Sequence, residues 1–259
     1  MIINLLINKV KYLLSINWYA TLRVNYSLLP FSQARHLPIL IKCKIKLSDL
    51  TGKIIINCPL EKGLVEIGSK IEMITTSAGL SQLGIGGDFV INGRFLIADD
   101  VRIIINKGAY LTIGEHSYIG RNTSLIVTNN VYFGKYVRFA YDSQLISTNF
   151  HYMADMETRV VKRMSDKGIV INDYCWIGNT STIMNGTVLP EKSIVASHSL
   201  VNKDFSNLGT YPLIGGTPAK LIALGRARVY NENTERIIDR YFKDNPDANE
   251  YNINNLDVF

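Results

Sequence analysis

The stretch INDYCWIGNTSTIMNGTVLPEKSIVASHSLVNKDFS (171–206) divides into six consecutive units of six residues. The first position of every unit is aliphatic: Ile171, Ile177, Ile183, Leu189, Val195 and Val201. The fifth position is small in all units but the last: Cys175, Ser181, Thr187, Ser193, Ser199 and Phe205. An amphipathic helix would repeat apolar residues every three or four positions, and a half-buried strand would alternate. A period of six fits neither, so the stretch predicts a repeat architecture.

The same rule continues outward from this stretch. Residues 113–130 follow it, the frame then slips by two residues, and residues 133–150 follow it again. Looser matches occur at residues 91–102. The repeat therefore spans much of the chain.

Units of six residues suit a prism with three flat walls. Each unit supplies a short strand and a corner, so three units form a coil of about 18 residues, and coils stack at the strand spacing of about 4.8 Å. The aliphatic residue points into the core and the small residue fits where the walls crowd. Each coil buries its faces only by stacking on its neighbours.

Two segments, CWIGNTSTIMNGTVLPEKSIVASHSLVNKD and PLIGGTPAKLI, resemble the hexapeptide-repeat acyltransferases. The similarity is to the branch that contains the galactoside, maltose and xenobiotic acetyltransferases and many surface-polysaccharide O-acetyltransferases. It covers roughly residues 90–225, and more loosely residues 50–90. It implies an all-β fold, a left-handed parallel β-helix, and a homotrimer with active sites between subunits. It also implies acetyl-CoA as the acyl donor and a sugar or saccharide as the acceptor.

Three parts are predicted along the chain. Residues 1–50 form a basic and apolar extension, residues 51–225 form the β-helix domain, and residues 226–259 form a C-terminal helix and tail. The helix is predicted over 231–246, with Asn and Thr near its start and Pro246 at its end.

The repeat is interrupted once. The units of six stop at Phe150, His151 follows, and the units resume at Ile171, which predicts a loop over 151–168. The resemblance implies that His151 is the catalytic base. A sugar hydroxyl is a poor nucleophile at neutral pH, and a neutral imidazole that takes its proton is worth roughly 10²–10⁴ in rate. Asp142 is expected either to orient the imidazole or to bind an acceptor hydroxyl.

The resemblance assigns further residues to the site. Trp176, in the WIG motif, is expected to form a wall of the acceptor or pantetheine pocket, and Asn122 and His116 to border the acceptor pocket. Five residues are expected to contact the cofactor: Asn179, Ser197, Asn202, Lys203 and Lys220. The two lysines would meet the CoA phosphates as point charges. One departure is His198, because the family has glycine there, where the pantetheine arm often passes.

Other classes of site are disfavoured. Zinc needs three converging protein ligands, and His116, His151 and His198 include no close pair, so no metal is expected. Cys43, Cys58 and Cys175 show no metal spacing and are expected to be reduced thiols. The GIGGD segment (84–88) lacks the spacing of a dinucleotide-binding loop. No nucleic-acid partner is expected.

The basic charge is concentrated at the N-terminus. The formal net charge is +6, and residues 1–50 contain seven Lys and Arg against Asp49 alone, so the remaining chain balances. A helix near the start, with Lys9, Lys11, Trp18 and Tyr19, is expected either to contact an anionic membrane surface through residues 1–25, to cap the first coil, or to pack on a partner subunit. No apolar run reaches the ~20 residues of a membrane span, and the opening lacks the features of a signal peptide. A cytoplasmic protein, peripheral at the inner leaflet of the membrane, is expected.

The prediction is therefore an acetyl-CoA-dependent O-acetyltransferase for a sugar of a bacterial surface polysaccharide or its precursor. One alternative is an N-acetyltransferase of a nucleotide-linked amino sugar, whose amine needs less help from His151. The other is a β-helix that serves as a scaffold or binding module without catalysis.

Overall fold

Three sheets form the walls of a three-sided coil in the computed structural model, which describes residue 7 and residues 10–69, 79–163, 166–254 and 256–259. Sheet one contains β1 (Ile39–Ile41), β4 (Val65–Ile67), β7 (Phe95–Ile97), β10 (Tyr118–Ile119), β13 (Arg138–Phe139), β16 (Trp176–Ile177), β19 (Ile194–Val195), β21 (Leu213–Gly216) and β22 (Ala219–Ala223). Sheet two contains β2 (Ile45–Asp49), β5 (Ser81–Ile85), β8 (Arg102–Ile105), β11 (Ser124–Val127), β14 (Gln144–Ile146), β17 (Thr182–Met184) and β20 (Leu200–Val201). Sheet three contains β3 (Lys53–Ile56), β6 (Asp88–Asn92), β9 (Tyr110–Gly114), β12 (Val131–Phe133), β15 (Ile169–Ile171) and β18 (Val188–Leu189).

From β1 to β21, successive strands belong to different sheets, so the chain turns a corner after each strand. Within a sheet each of these strands pairs in parallel with the strand one coil away; Phe133, for example, pairs with Ile113 below and Ile171 above. One coil is 18 residues long where Asn179 stacks under Ser197, and 20 residues long where Asn122 stacks under Asp142. The longer coils explain the slip of the repeat frame. The predicted parallel β-helix is confirmed.

The interior is built from the first positions of the repeat. Ile171, Ile177, Ile183, Leu189, Val195 and Val201 are all buried, and the rings of Phe133 and Phe139 stack at 5.5 Å in the same core. Small fifth-position residues are buried where the walls meet. Ser181 Oγ donates to the carbonyl of Ala196 at 3.1 Å and Ser143 Oγ to that of Gly178 at 3.2 Å. Hydroxyls at crowded corners therefore satisfy turn carbonyls that the coil itself leaves unpaired.

An N-terminal helix closes the first coil. Helix α1 (Trp18–Leu28) is followed by the short α2 (Phe31–Ala34). The buried Asn25 amide donates to the carbonyl of Ile39 at 2.8 Å and accepts from its N–H, while Thr21 Oγ1 accepts from the N–H of Ile41. These side chains satisfy the open edge of β1. The β-helix thus begins at Ile39, earlier than the boundary predicted at residue 51.

The other end carries a hairpin, and the C-terminal segment (residues 226–259) returns along the side of the coil, where Arg228 lies over Trp176 of sheet one. A 3₁₀ turn (Ser206–Leu208) leads to β21 and β22, which pair antiparallel. Helix α3 (Glu232–Asp244) begins at Asn231, whose side chain accepts from the N–H groups of Asn233 and Thr234. The chain end returns to this helix, because the N–H groups of Tyr230 and Asn231 both bond the carbonyl of Val258. The predicted C-terminal helix is confirmed. Over the ranges that the structure describes, no helix has both the length and the apolar character needed to span a bilayer.

Candidate active site

The coil has three corners, and the predicted site residues are divided among them. The polar edge joins sheet one to sheet two and carries Asn122, Asp142, Asn179 and Ser197. The loop edge joins sheet two to sheet three and carries the loop with His151, followed two coils later by Asn202 and Lys203. The aromatic edge joins sheet three to sheet one and carries His116, Tyr136, Tyr174 and Lys192.

Hydrogen bonds to neighbouring coils hold both ends of the extruded loop. The buried Ser147 Oγ accepts from the N–H groups of Thr128 at 2.8 Å and Asn129 at 3.2 Å in the coil below. At the other end, the N–H of Gly186 donates to the carbonyl of Gly168 at 3.0 Å. A side chain at Gly168 would meet the carbonyl oxygen of Asn130, so only glycine lets the returning chain lie so close to that turn. Both ends of the loop are therefore fixed by neighbouring coils.

The loop tip is a small hairpin. Ala154 and Val161 form an antiparallel bridge, and Asp155 closes the turn by accepting from the N–H groups of Thr158 at 2.8 Å and Glu157 at 3.0 Å. The hydrogen bond from the Thr158 N–H, with further ones from the Thr158 side chain and the Glu157 N–H, lowers the pKa of the Asp155 carboxyl. The tip is therefore held by its own contacts, although its side chains are exposed.

His151 follows the base of the loop directly. The N–H of His151 donates to the carbonyl of Asn149 at 2.7 Å, and the preceding Phe150 has a left-handed φ of 59°. The imidazole is exposed, and neither ring nitrogen bonds to any residue in the described part of the chain. Asn202 and Lys203 lie on the same edge and are also exposed. The structure therefore brings the predicted base and two predicted cofactor-binding residues to one edge.

The polar edge is a ladder of hydrogen-bonded side chains. The Asn122 amide donates to Asp142 Oδ1 at 2.8 Å, and Ser197 Oγ donates to Asn179 Oδ1 at 2.6 Å. Asp142 is separated from His151 by the whole of strand β14, so within one chain the carboxylate faces Asn122 and not the imidazole. The predicted Asn179 and Ser197 are brought together, apart from His151.

The corners of the polar edge share one backbone conformation. Asn122, Asp142, Thr180 and His198 have φ between 52° and 59°, and each is the fourth residue of its repeat unit. Glycine is favoured in this left-handed region because it has no Cβ to clash. His198 adopts the same conformation with an exposed side chain. The departure from the family pattern is therefore accommodated at the corner, with the imidazole outside the coil.

Trp176 and Lys220 lie on sheet one. Trp176 pairs with Arg138 in register and has 37% of its side chain exposed. The Arg228 guanidinium lies 5.5 Å from the Trp176 ring centroid. Lys220 is exposed in β22 and pairs with Gly215, next to the turn that bonds Ser199. Trp176 is thus covered in part by the C-terminal segment, which the sequence did not predict.

The aromatic edge is the feature that sequence reasoning missed. His116 stacks on Tyr136 at 4.8 Å, and Tyr136 stacks on Tyr174 at 4.8 Å. Phe259, at the chain end, meets Tyr174 edge-on at 5.2 Å. The sequence contains a signal for this stack, because His116, Tyr136 and Tyr174 are each the fourth residue of a repeat unit. The three units lie in successive coils, with the loop between the second and the third.

Within the described residues, the arrangement of metal-ligating side chains and the burial of the cysteines bear on metal and thiol chemistry. No group of three or more His, Cys, Asp or Glu side chains there is arranged to hold a metal ion. Cys43, Cys58 and Cys175 are free thiols. Burial raises the pKa of the Cys175 thiol to about 12, so its reactive thiolate is suppressed.

The comparisons with known proteins place this architecture among relatives. No family model matches the sequence. Over 139 residues the chain is 28% identical to the polysialic acid O-acetyltransferase of Escherichia coli O1:K1 / APEC, which covers 53% of this chain and 44% of that protein. Over 136 residues it is 27% identical to an uncharacterized 24.8 kDa protein in the cps region of Klebsiella pneumoniae, which covers 52% of this chain and 58% of that protein. The chain spans about half the length of the curated relatives it matches.

A solved structure extends the likeness over most of the fold. The polySia-specific acetyltransferase NeuO aligns with a TM-score of 0.57 and 20% identity, and the match covers 83% of this chain and 91% of that one. At this identity the match shows a shared fold. The chain is therefore a hexapeptide-repeat β-helix protein, related in sequence and in fold to acetyltransferases.

Proposed function

We propose that the protein is an acetyl-CoA-dependent O-acetyltransferase that modifies a sugar hydroxyl of a bacterial surface polysaccharide or its precursor. One observation carries the proposal: the coil is interrupted once over residues 79–163 and 166–205, and His151 stands at that interruption on an anchored base. The related E. coli protein is a polysialic acid O-acetyltransferase, and the related Klebsiella protein is assigned to a cps region. A polysaccharide acceptor is consistent with both.

The reaction needs one proton carrier. His151 takes the proton of the acceptor hydroxyl while the hydroxyl oxygen attacks the thioester carbonyl carbon of acetyl-CoA. The carbon–sulfur bond then breaks, and the imidazolium returns the proton to the departing thiolate. No covalent acyl-enzyme is required, because the thioester is already activated. The developing oxyanion is stabilised by backbone N–H groups of a coil corner.

The donor needs a groove with polar walls and positive charge for its phosphates. Asn202 and Lys203 share the edge of His151, and Lys203 is exposed with its ammonium 5.1 Å from the Phe205 ring centroid. Asn179, Ser197 and Lys220 lie at or near the polar edge. A complete groove therefore requires both edges.

A homotrimer supplies that arrangement. In a ring of three chains, two different surfaces meet across each contact, so the loop edge of one chain can face the polar edge of the next. Asp142 of one chain then serves the imidazole of its neighbour, either by orienting it or by binding the acceptor. The exposed apolar residues of the loop support such a contact, since Met153 is 74% and Met156 69% exposed.

Replacement of His151 tests the proposal. A His151→Ala variant is expected to lose roughly 10² or more in kcat, because general-base assistance has that magnitude. Release of free CoA from acetyl-CoA is measured against a panel of saccharide acceptors. The matched control is His36→Ala, which removes an exposed histidine beyond α2, away from the coil corners.

The product separates the remaining alternatives. An O-acetyl ester is cleaved by mild alkali, whereas the amide of an N-acetyltransferase resists it. Equal rates for wild type and His151→Ala would remove His151 from the mechanism. Absence of acetyl-CoA binding by calorimetry would favour a non-catalytic scaffold.

A further inference from the structure

A pocket lies between the coil and the C-terminal segment, away from the loop edge. Its volume is about 650 Å³, and its walls come from sheet one, the aromatic edge and the start of α3. That volume falls in the range of small-molecule sites, about 300–1,000 Å³. Three arginines line it, Arg94, Arg138 and Arg236, against a single side-chain carboxylate, that of Glu232.

Arg138 is the unusual member of this group. Its side chain is partly buried, and it forms no ion pair or hydrogen bond with any residue in the part of the chain that the structure describes. Burial, and next the neighbouring Arg228, lower the pKa of the Arg138 guanidinium. A desolvated cation without a paired carboxylate is costly. An anion in the pocket would offset that cost.

The other arginines are differently placed. Arg94 lies 3.6 Å from Glu61 and 3.8 Å from Glu66, and half of its side chain is exposed. Arg236 donates weakly to its own helix, at 3.4 Å to the Glu232 carbonyl and to Asn233 Oδ1. Both contribute positive charge around Arg138. Of the three arginines, Arg138 is the one that would gain most from an anionic partner, because it is partly buried and unpaired among the described residues.

Two further features indicate what carries the anion. His116 and Tyr136 line the pocket, and the exposed His116 ring is the outer member of the aromatic stack. A ring face of this kind packs well against the C–H face of a sugar. The Tyr230 hydroxyl, also in the wall, is buried and has no hydrogen-bond partner in the described ranges.

We propose that this pocket binds an oxyanion carried on a sugar ring, with the Arg138 guanidinium on the oxyanion and the outer face of the His116 ring, which stacks on Tyr136, under the sugar. The shared chemistry has two sources, a uronic or similar carboxylate in an acidic saccharide and the phosphate of a sugar phosphate. The inference deepens the proposed function, because it makes the saccharide that the protein handles an anionic one.

Binding to the full chain distinguishes the sources. The dissociation constants of galacturonate, galactose 6-phosphate and galactose are measured by calorimetry or ligand-observed NMR. Galacturonate or galactose 6-phosphate is expected to bind at least about tenfold more tightly than galactose, because a charge-assisted contact with arginine is among the stronger hydrogen bonds. The tighter of the two identifies the source. Affinity is expected to fall as salt is raised.

Variants assign that binding to the pocket. Arg138→Gln is expected to abolish the tenfold preference for the anionic sugar, and Arg94→Gln to reduce it. Arg35→Gln, an exposed arginine beyond α2, is the matched control and should retain it. An unchanged preference in Arg138→Gln, or loss of CoA binding in place of sugar binding, would overturn the proposal. So would dissociation of an oligomer by Arg138→Gln with unchanged sugar affinity, since the arginine would then serve a subunit contact.

The outcome is separable from that of acetyl transfer. Binding is measured without acetyl-CoA and is expected to persist in His151→Ala, so an inactive protein that still prefers anionic sugars fails only the proposed function. A protein that acetylates neutral sugars with unchanged kcat and KM in Arg138→Gln, and shows no anionic preference, fails only this inference.

Discussion

Each position of the six-residue repeat has its own structural role. The first position fills the core, the fifth satisfies corner carbonyls, and at the polar and aromatic edges the fourth adopts the left-handed conformation. For an L-residue that conformation costs roughly 1–2 kcal/mol, and Tyr136 and Tyr174 are bulky examples. Their parallel stacking at 4.8 Å offsets part of the cost. The fourth position is therefore where the repeat accepts backbone strain and displays a surface feature.

The first and fifth positions could be predicted from the sequence because burial constrains residue type. The residue type at the fourth could not, since a left-handed corner at the surface accepts the exposed His116 and Asn122 as well as the half-buried Lys192 or a tyrosine. His151 is singled out for a different reason: the repeat stops beside it, and the family resemblance implies its role as the base. Arg138 gave no such signal, because an arginine on a strand is typical of an exposed face until the C-terminal segment covers it.

Cys175 provides a prediction at this scale. Its thiol is fully buried and its Sγ lies 3.2 Å from the carbonyl of Pro190. With its pKa raised to about 12, mainly by burial, it stays neutral at pH 8 and should not react. A disulfide reagent is expected to titrate at most two thiols in the native protein and three in denaturant.

The same pKa shift has a stability consequence. The folded state holds the thiol proton more tightly than the unfolded state. The contribution of this proton to the free energy of unfolding is therefore fully present below the ordinary thiol pKa of 9.0. It is lost as the pH rises towards about 12. Cys175→Ala should leave the native thiol count unchanged. Reaction of three thiols in the native protein, at the rate seen in denaturant, would contradict the burial.

Among the elements, α1 has two faces with different roles. The inner face, through Thr21 and Asn25, satisfies the edge of the first coil. The outer face and its flanks expose Leu14, Tyr19 and Phe31 by 79%, 75% and 73%, and Arg23 is also exposed. Apolar side chains together with basic ones fit an anionic membrane surface. The part of the predicted membrane segment at residues 1–6, 8 and 9 lies outside the described residues.

We expect the wild-type chain to sediment with vesicles that contain anionic lipid and less with neutral ones. Deleting residues 1–25 would also remove the cap of β1, so surface variants are the cleaner test. Leu14→Ser with Tyr19→Ser should weaken vesicle binding without unfolding the coil. Leu224→Ser, 57% exposed near the other end of the chain, is the control. Equal sedimentation of all three proteins would count against membrane contact.

Elements differ in how well sequence predicts them. The strands over 91–150 and 171–206 follow from the repeat, because stacking leaves no other register that buries the aliphatic residues. For strands β1 and β2 the sequence predicts an extension instead, since the early coils break the spacing of six. The C-terminal helix was predicted, but its return through Val258 and Phe259 depends on contacts with distant coils, which no local pattern encodes.

For the whole molecule, the division of site residues between two edges leads to a prediction of assembly. If the loop edge of one chain meets the polar edge of the next, light scattering after gel filtration should give the mass of a trimer. Replacing Met153 and Met156 with serine should weaken that contact and lower activity together, because apolar burial is lost at about 25 cal/mol per Å². A fully active monomer would refute a site shared between chains.

The caps of the prism have a consequence for growth. A stack of parallel strands offers unpaired amides at each end and would otherwise recruit another copy, as open sheet edges do. Asn25 and Thr21 occupy one end, and the antiparallel β22 turns away from the other. Both ends of sheet one are thereby altered in a way that disfavours end-to-end pairing of copies through this sheet, which favours closed rings over filaments.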